Sequence, residues 1–124
     1  MIQSPLVDLI INTHNIGGDE LAVKDKVLYL IGASGSLSPS FLTQKLHIAK
    51  SNIAKLCKQL IMEKLIYSRQ DIKDKRIIFY SLTDIGEQYM YNKTKQYIDA
   101  FNKMCEEDKK KIDEVNIILN KESL

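Results

Sequence analysis

The hydrophobic period of the sequence changes once, just after its midpoint, and this change restricts the fold more than any other feature. From about residue 50 to residue 64, apolar side chains recur at the three- and four-residue spacing of an amphipathic helix. The residues that this spacing places toward the core are Ile53, Leu56, Cys57, Leu60, Ile61 and Lys64. In residues 66–70 and 76–82 the period is closer to two, and residues 71–75 between them form a charged tip. The pattern predicts a helix that is followed at once by a β-hairpin.

Capping signals predict further helices on both sides of this segment. Ser4-Pro5 and Ser38-Pro39 each place serine at the N-cap and proline at the first helical position. His47 is predicted as a turn residue rather than a ligand, because histidine tolerates a left-handed backbone better than most residues. In the first helix the predicted apolar stripe is Leu6, Leu9, Ile10 and Thr13. Residues 15–18 are predicted to break this helix. The helices predicted outside the central one cover about residues 4–13, 22–31, 39–46, 84–106 and 107–120.

A chain of 124 residues and 14.2 kDa has room for one domain with a single core. The two cysteines, Cys57 and Cys105, and the two histidines, His14 and His47, are too few and too scattered for a disulfide framework or a zinc site. Neither a metal nor another cofactor is therefore expected. No apolar run approaches the ~20 residues that span a bilayer, and the first residues lack the features of a signal peptide. We expect a cytoplasmic protein that does not contact a membrane.

The net charge of +2 conceals an uneven distribution of charged residues. Residues 41–86 contain nine basic and four acidic residues, a net charge of +5, whereas the other 78 residues contain nine basic and twelve acidic ones, a net charge of −3. Both arginines, Arg69 and Arg76, lie in the basic segment. The polar face of the central helix has no acidic residue before Glu63. A basic middle within an acidic surround favours a partner that is itself negatively charged.

The order of the elements is that of a winged helix-turn-helix, a mainly α fold of the α+β type with flanking helices at both ends. Such a domain lays the second helix of the turn motif in the major groove of DNA and reaches the backbone or the minor groove with its hairpin. Asn52 can offer a donor and an acceptor to the edge of an adenine. The residues predicted to face DNA on this helix are Lys50, Ser51, Asn52 and Lys55. A merely solvated helix face is the alternative, and the neighbouring hairpin favours DNA.

The chain resembles the MarR (multiple antibiotic resistance regulator) family of bacterial transcription factors. The resemblance covers about residues 21–90, and its most specific part is Asp74-Lys75-Arg76 followed by Leu82-Thr83-Asp84-Ile85-Gly86. The other matching stretches are residues 37–42, 48–56 and 63–66. The resemblance implies a homodimeric regulator, most often a repressor, that binds a pseudo-palindromic operator in double-stranded DNA. It also implies release by a small phenolic, aromatic or amphipathic effector.

The resemblance also implies roles for residues of the hairpin tip and of the third helix. Arg76 would be the wing arginine in a narrowed minor groove, and Asp74 would brace it by a charge-assisted hydrogen bond. An ordinary salt bridge at a hairpin tip is the alternative for this pair. The remaining residues that would contact the DNA backbone are Lys73, Lys75, Ser38 and Ser40.

The apolar content of the flanking helices predicts self-association. Residues 2–16 and 84–120 carry more apolar side chains than one small domain can easily cover. A two-fold dimer would bury them and set the two recognition helices about one DNA turn apart. The expected organisation is one domain over residues 1–124, with a winged-helix core at 21–90 and dimerisation helices at 2–16 and 84–120. Packing within one chain alone is the alternative.

Other functions fit parts of the sequence. An enzyme would need a nucleophile with a base or paired carboxylates, and no such grouping is present in the sequence. Cys57 is predicted as a small core residue, whereas Cys105 could serve as a redox-reactive thiol. A winged-helix module for protein–protein contact would use the same fold without an operator. Steep weakening of binding as salt rises would favour DNA over a protein partner.

Overall fold

The computed structural model describes residues 4–12 and 22–122 as six helices and one two-stranded sheet. The helices are α1 (Pro5–Asn12), α2 (Val23–Ser34), α3 (Pro39–Leu46), α4 (Lys50–Met62), α5 (Asp84–Asn102) and α6 (Glu106–Glu122). The strands β1 (Ile66–Gln70) and β2 (Ile78–Leu82) are antiparallel, with Ile66 opposite Leu82 and Gln70 opposite Ile78. This order confirms the predicted winged helix-turn-helix. The predicted break at residues 15–18, Thr13 and His14 lie outside the described residues.

The core lies where α2, α3, α4 and the hairpin meet. Leu42 and Leu46 of α3 are fully buried, and Leu37 pairs with Tyr80 of β2 through two backbone hydrogen bonds of 3.0 and 2.8 Å. The other buried side chains of this core are Val7, Ile11, Val27, Leu28, Tyr29, Ile31, Ile53, Cys57, Leu60, Leu65, Ile66, Leu82 and Met90. Helix α2 is thereby enclosed, and the polar face of α4 is left on the outside.

The predicted core face of α4 is wrong at its C-terminal end. Ile53, Cys57 and Leu60 are buried, but Ile61 is 39% exposed and Lys64 is exposed. The reason is that α4 ends at Met62 and Lys64 adopts a left-handed backbone with φ +62°. This turn redirects the chain into β1, so Leu65 and Ile66 enter the core instead.

The first helix differs from its prediction in two respects. Val7 and Ile11 are its buried residues, whereas Leu6, Leu9 and Ile10 are half-buried, and α1 packs mainly on α6 and α5. The Ser4 hydroxyl, predicted as an N-cap, is buried without a hydrogen-bond partner in the described part of the chain. The Ser4 backbone N–H instead donates to the Tyr29 hydroxyl at 2.8 Å.

Several further boundaries differ from those predicted, and one of them is the end of α2, at Ser34 rather than near residue 31. The second hairpin strand begins at Ile78 rather than at residue 76, because Lys75 and Arg76 form a turn. Helix α5 ends at Asn102 rather than near residue 106, and α6 begins at Glu106. Within residues 4–12 and 22–122, none of the helices is both long enough and apolar enough to cross a membrane.

The start of α5 is joined tightly to the turn between α4 and β1. The Thr83 hydroxyl donates to the Lys64 carbonyl at 2.6 Å and accepts from the Gly86 N–H at 3.0 Å, while the Thr83 N–H donates to the Leu65 carbonyl at 3.0 Å. Thr83 is therefore the N-cap of α5 and also joins this helix to Lys64 and Leu65, which follow α4. A Cβ atom at Gly86 would overlap the Leu65 carbonyl oxygen.

We expect the substitution Gly86→Ala to lower the free energy of unfolding by about 3 kcal/mol, because the added methyl group meets rigid backbone. Thermal and urea unfolding followed by circular dichroism measure this loss. The matched control is Gly35→Ala, where the added methyl group meets open space and only the positive φ of +86° opposes it. With φ 86° and ψ −47° this backbone lies outside the left-handed helical region, and alanine there costs about 2 kcal/mol. Equal losses for the two variants would contradict the steric account of Gly86.

Candidate nucleic-acid interface

The N-terminus of α4 is exposed and has no capping side chain. Ala49 occupies the N-cap position and forms no side-chain hydrogen bond, and the first turn of α4 contains no acidic residue. Lys50, Ser51 and Asn52 are all exposed on this turn. Free backbone N–H groups and the positive end of the helix dipole at such a terminus suit a phosphate.

The chain turns from α3 into α4 at His47. This residue has φ 53° and ψ 45°, which confirms the predicted left-handed turn residue. Lys45 and Leu46 end α3 just before it, and α4 begins at Lys50, so only a short connection separates the two helices. A short connection of this kind places the N-terminus of α4 next to the C-terminus of α3, as in helix-turn-helix domains.

The outer face of α4 is polar and basic along its length. Lys55, Lys58, Gln59 and Met62 are exposed on the side opposite the buried residues. Glu63, at the end of this face, accepts a hydrogen bond from Lys24 at 2.9 Å. That bond holds the pKa of the Glu63 carboxyl below its ordinary value. The negative charge at the end of α4 is therefore paired within the fold.

The tip of the hairpin is an ordered turn organised by Asp71. The Asp71 carboxylate accepts hydrogen bonds from the backbone N–H groups of Lys73 at 3.1 Å and Asp74 at 3.0 Å. The backbone N–H of Asp71 donates to the Ile77 carbonyl at 2.9 Å, and that of Ile77 donates to the Asp74 carbonyl at 3.0 Å. The tip therefore has a defined shape before anything binds to it.

Asp74 and Arg76 form a two-pronged pair at this tip. Arg76 donates from Nε to Asp74 Oδ1 at 3.0 Å and from Nη2 to Oδ2 at 2.9 Å, and its backbone N–H also donates to Oδ1. These bonds lower the pKa of the Asp74 carboxyl and raise that of Arg76. The Arg76 side chain is 91% exposed, whereas that of Asp74 is 32% exposed. The guanidinium is thus held in one orientation while most of its surface faces solvent.

The remaining residues assigned from the sequence occupy two sites. Lys73 and Lys75 are exposed on the hairpin tip. Ser38 is the N-cap of α3, and its hydroxyl oxygen accepts from the Phe41 N–H at 3.3 Å. Ser40 is exposed in the first turn of the same helix. The Ser38 oxygen therefore already serves the fold, while its proton remains available to an outside acceptor.

Some residues that shape this surface were not singled out from the sequence. Asp71 shapes the hairpin tip by accepting hydrogen bonds from the backbone N–H groups two and three residues after it. An aspartate at such a position is a recognisable turn signal in a sequence. Arg69 donates to the Ser36 hydroxyl at 3.4 Å, which brings its guanidinium beside the start of α3. No local pattern predicts the Arg69 contact, because its partner lies 33 residues away.

The molecule also contains an open cleft at the connection between α5 and α6. Its volume is about 450 Å³, and its walls carry charges of both signs. The lining residues are Phe101, Glu106, Lys109, Lys110 and Asp113. Among residues 4–12 and 22–122, no three histidine, cysteine, aspartate or glutamate side chains are grouped closely enough to hold a metal ion. Cys57 is buried, which raises the pKa of its thiol to about 11, and Cys105 is exposed.

A model of the MarR family matches residues 25–78, which include α3, α4 and the hairpin tip. The transcriptional regulator AdcR of Streptococcus pneumoniae is 34% identical over 63 residues, which are 51% of this chain and 42% of that protein. The uncharacterized HTH-type transcriptional regulator YvnA of Bacillus subtilis is 30% identical over 93 residues, which are 69% of this chain and 59% of that protein. The chain thus spans about half the length of the curated relatives it matches. Both relatives are named as transcriptional regulators, which are not enzymes.

The fold is also shared with a solved structure. A mutant of MarR from Escherichia coli, solved in complex with operator DNA, has a TM-score of 0.55 to this chain at 17% sequence identity. The similarity covers 87% of this chain and 81% of that one. At this level of identity the comparison concerns the fold alone, and it agrees with the mainly helical winged architecture described above.

We expect Asp71→Ala to loosen the hairpin tip, because the backbone N–H groups of Lys73 and Asp74 lose their acceptor. Amide hydrogen exchange measured by nuclear magnetic resonance should become about fivefold faster at these two positions, for a loss of about 1 kcal/mol per hydrogen bond. Asp71→Asn is the matched control, since its amide oxygen keeps the acceptor and removes only the charge. If the asparagine variant loosens the tip as much as the alanine variant, the charge rather than the hydrogen bonds organises the turn.

Proposed function

Because the chain belongs to the MarR family of winged helix-turn-helix proteins, we propose that it is a transcriptional regulator that binds double-stranded DNA in a sequence-specific manner. The observation that carries this proposal is the braced, 91% exposed guanidinium of Arg76 on the same molecule as the exposed, acid-free first turn of α4. Double-stranded DNA has phosphates and grooves that can bind the Arg76 guanidinium and the first turn of α4 at the same time.

In the proposed complex α4 lies in the major groove. Lys50, Ser51 and the free N–H groups at the start of α4 bind phosphate, while Asn52 reads a base edge and Lys55 adds a cationic contact. Ser38 and Ser40 at the start of α3 bind the backbone of the neighbouring strand. The pairing of Glu63 with Lys24 supports this arrangement, because it reduces repulsion between that carboxylate and DNA.

The wing occupies the adjacent minor groove. Arg76 inserts where the groove is narrow and its potential most negative, and Asp74 holds the guanidinium in the inserting orientation. Lys73 and Lys75 bind the flanking phosphates. The hydrogen-bonded tip supports this role, because an ordered wing loses less conformational entropy on binding than a mobile one.

The regulator acts as a homodimer on a pseudo-palindromic operator. Support comes from α6, where Val115, Ile117 and Ile118 are 42%, 56% and 58% exposed. A second copy of the chain would cover these side chains and place the two α4 helices about one DNA turn apart. In this organisation residues 21–90 are the DNA-binding core, and residues 2–16 and 84–120 are the dimerisation helices.

The regulatory direction proposed is repression, by occupation of an operator that other proteins would otherwise use. A small aromatic or amphipathic effector would release the operator. Because operator DNA lies in the cytoplasm of bacteria, the protein acts there. A winged-helix module that binds another protein is the competing function, and the response to salt separates the two.

Selection of bound fragments from random DNA by the purified protein tests the proposed function directly. We expect one enriched pseudo-palindrome, whose affinity falls steeply as salt is raised because phosphate contacts release counterions. Fragments without a common sequence, or binding that barely responds to salt, would contradict operator recognition.

We expect Arg76→Ala to weaken binding to the selected operator by about 2 kcal/mol, or about thirtyfold, with the fold retained. Fluorescence anisotropy at physiological salt measures the affinity. Asn52→Ala should act differently, because losing a base contact relaxes the preference for the operator more than it lowers affinity for unrelated DNA. Ser34→Ala, at the exposed end of α2, lies outside both the DNA-facing residues and the dimerisation helices and serves as the control. Unchanged operator affinity for Arg76→Ala would refute the assignment of the wing.

We expect the unsubstituted protein to be a dimer in solution and the Ile118→Glu variant to be a monomer of 14.2 kDa. The reason is that burying a carboxylate at an apolar interface is costly. Size-exclusion chromatography with light scattering measures the mass. Ile72→Glu places the same charge at a 98% exposed position outside the flanking helices and should leave the mass unchanged. A monomeric unsubstituted protein would show that α6 packs within one chain only.

A further inference from the structure

One cation of the basic segment faces away from the proposed DNA surface. Lys45, near the end of α3, is half-buried, and its ammonium donates to the side-chain oxygens of Asn12 at 3.0 Å and Asn120 at 3.2 Å. Asn12 ends α1 and Asn120 lies in the last turns of α6. Lys45 therefore connects the helix-turn-helix to both flanking helices at one point.

The same hydrogen-bond network continues between the flanking helices. Asn12 donates to the Asn116 side-chain oxygen at 2.9 Å, and Asn116 donates to the Pro5 carbonyl at 3.0 Å. Asn116 is buried, with 8% exposure. A buried amide is strongly held to its partners, because breaking its hydrogen bonds leaves polar atoms unsatisfied. The acceptors of Lys45 are thus fixed relative to α1 and α6.

The charge of a carboxylate on α1 also acts on the Lys45 ammonium. Asp8 of α1 accepts a hydrogen bond from the Tyr29 hydroxyl at 2.7 Å, and its charge acts on Lys45. Burial lowers the pKa of Lys45, and the charge of Asp8 opposes that effect. A half-buried ammonium that left these partners would lose both its hydrogen bonds and its compensating charge.

The apolar contacts of α3 point elsewhere. Helix α3 packs mainly on α4 and β2, whereas α1 packs on α5 and α6. Apolar contact is non-directional and tolerates small rotations between packed groups, whereas hydrogen bonds depend on distance and angle. The bonds of Lys45 therefore add a directional constraint on the angle between the two packed groups, beside the bonds of Tyr29 to Asp8 and of Tyr89 to Asp25.

We propose that Lys45 is a positioning residue that sets the angle of the helix-turn-helix relative to α1 and α6, and through it the separation of the two recognition helices in the dimer. The part of this inference that concerns DNA rests on the proposed function. Lys45 itself does not touch DNA in this arrangement.

The first test measures the angle without DNA. Spin labels are attached to the native Cys105, which is exposed, and to a cysteine introduced by Lys58→Cys on the outer face of α4, while Cys57 is buried and remains unlabelled. Labelled chains are diluted into unlabelled ones so that only distances within one chain are recorded. We expect a narrow distance distribution that broadens with Lys45→Met and narrows again with Lys45→Arg, which restores the donors.

The second test uses the selected operator, lengthened by one or two base pairs between its half-sites. The unsubstituted protein should discriminate strongly against the longer sites. Lys45→Met should bind the selected operator about tenfold more weakly and lose most of this discrimination. Gln44→Met is the matched control, since it changes the exposed neighbour of Lys45 in α3 and should leave both quantities unchanged.

The two tests separate the failure of this inference from the failure of the proposed function. A protein that binds no operator refutes the proposed function, and the label distances still decide the role of Lys45. Distance distributions and spacing preferences that are the same in Lys45→Met and in the unsubstituted protein overturn the inference. If thermal unfolding shows that Lys45→Met does not fold, Asn12→Ala removes one acceptor and is judged by the same two measurements.

Discussion

The first turn of α5 lies directly on the backbone of the turn between α4 and β1, with no space for a side chain at Gly86. Thr83 closes this junction by bonding to the Lys64 carbonyl on one side and to the Gly86 N–H on the other. Helix α4, the hairpin and α5 all start or end here, so their relative directions follow from one contact between backbones. This junction explains why Leu-Thr-x-x-Gly follows the hairpin: threonine caps the helix and glycine permits the approach.

Many charged side chains of the protein belong to one of two groups, according to whether they bond to another helix or face solvent. Those with partners inside the fold connect helices, as Lys24 does with Glu63 and Lys45 does with Asn12. Those on the outer face of α4 and at the hairpin tip remain exposed, and the neighbouring Asp74 holds Arg76. The net charge of +5 on residues 41–86 therefore overstates the charge available to a partner, because Lys45 is turned inward.

Much of the fold could be predicted because it depends on local patterns. The change of period placed α4 and the hairpin correctly, Ser38-Pro39 marked the start of α3, and His47 was identified as a left-handed turn residue. The errors occur where a backbone turn or a distant contact overrides the periodic pattern. Ile61 continues the helical stripe, yet it is exposed because the left-handed turn at Lys64 sends Leu65 and Ile66 into the core in its place. Ser4 directly precedes α1 as predicted, yet its hydroxyl forms no capping bond within the described residues, and its backbone N–H donates to Tyr29 of another helix.

The sequence by itself determined the order of the elements, the exposed cationic face of α4 and the spacing from Asp74 to Gly86, because each depends on residues a few positions apart. The tertiary structure alone decided which cations remain at the surface and how the helix-turn-helix is joined to its flanking helices. Lys45 meets Asn12 across 33 residues and Asn120 across 75, so no periodic pattern relates them. Their meeting depends on the packing of α1 against α6, which buries Asn116 and brings the two amide oxygens to the same ammonium.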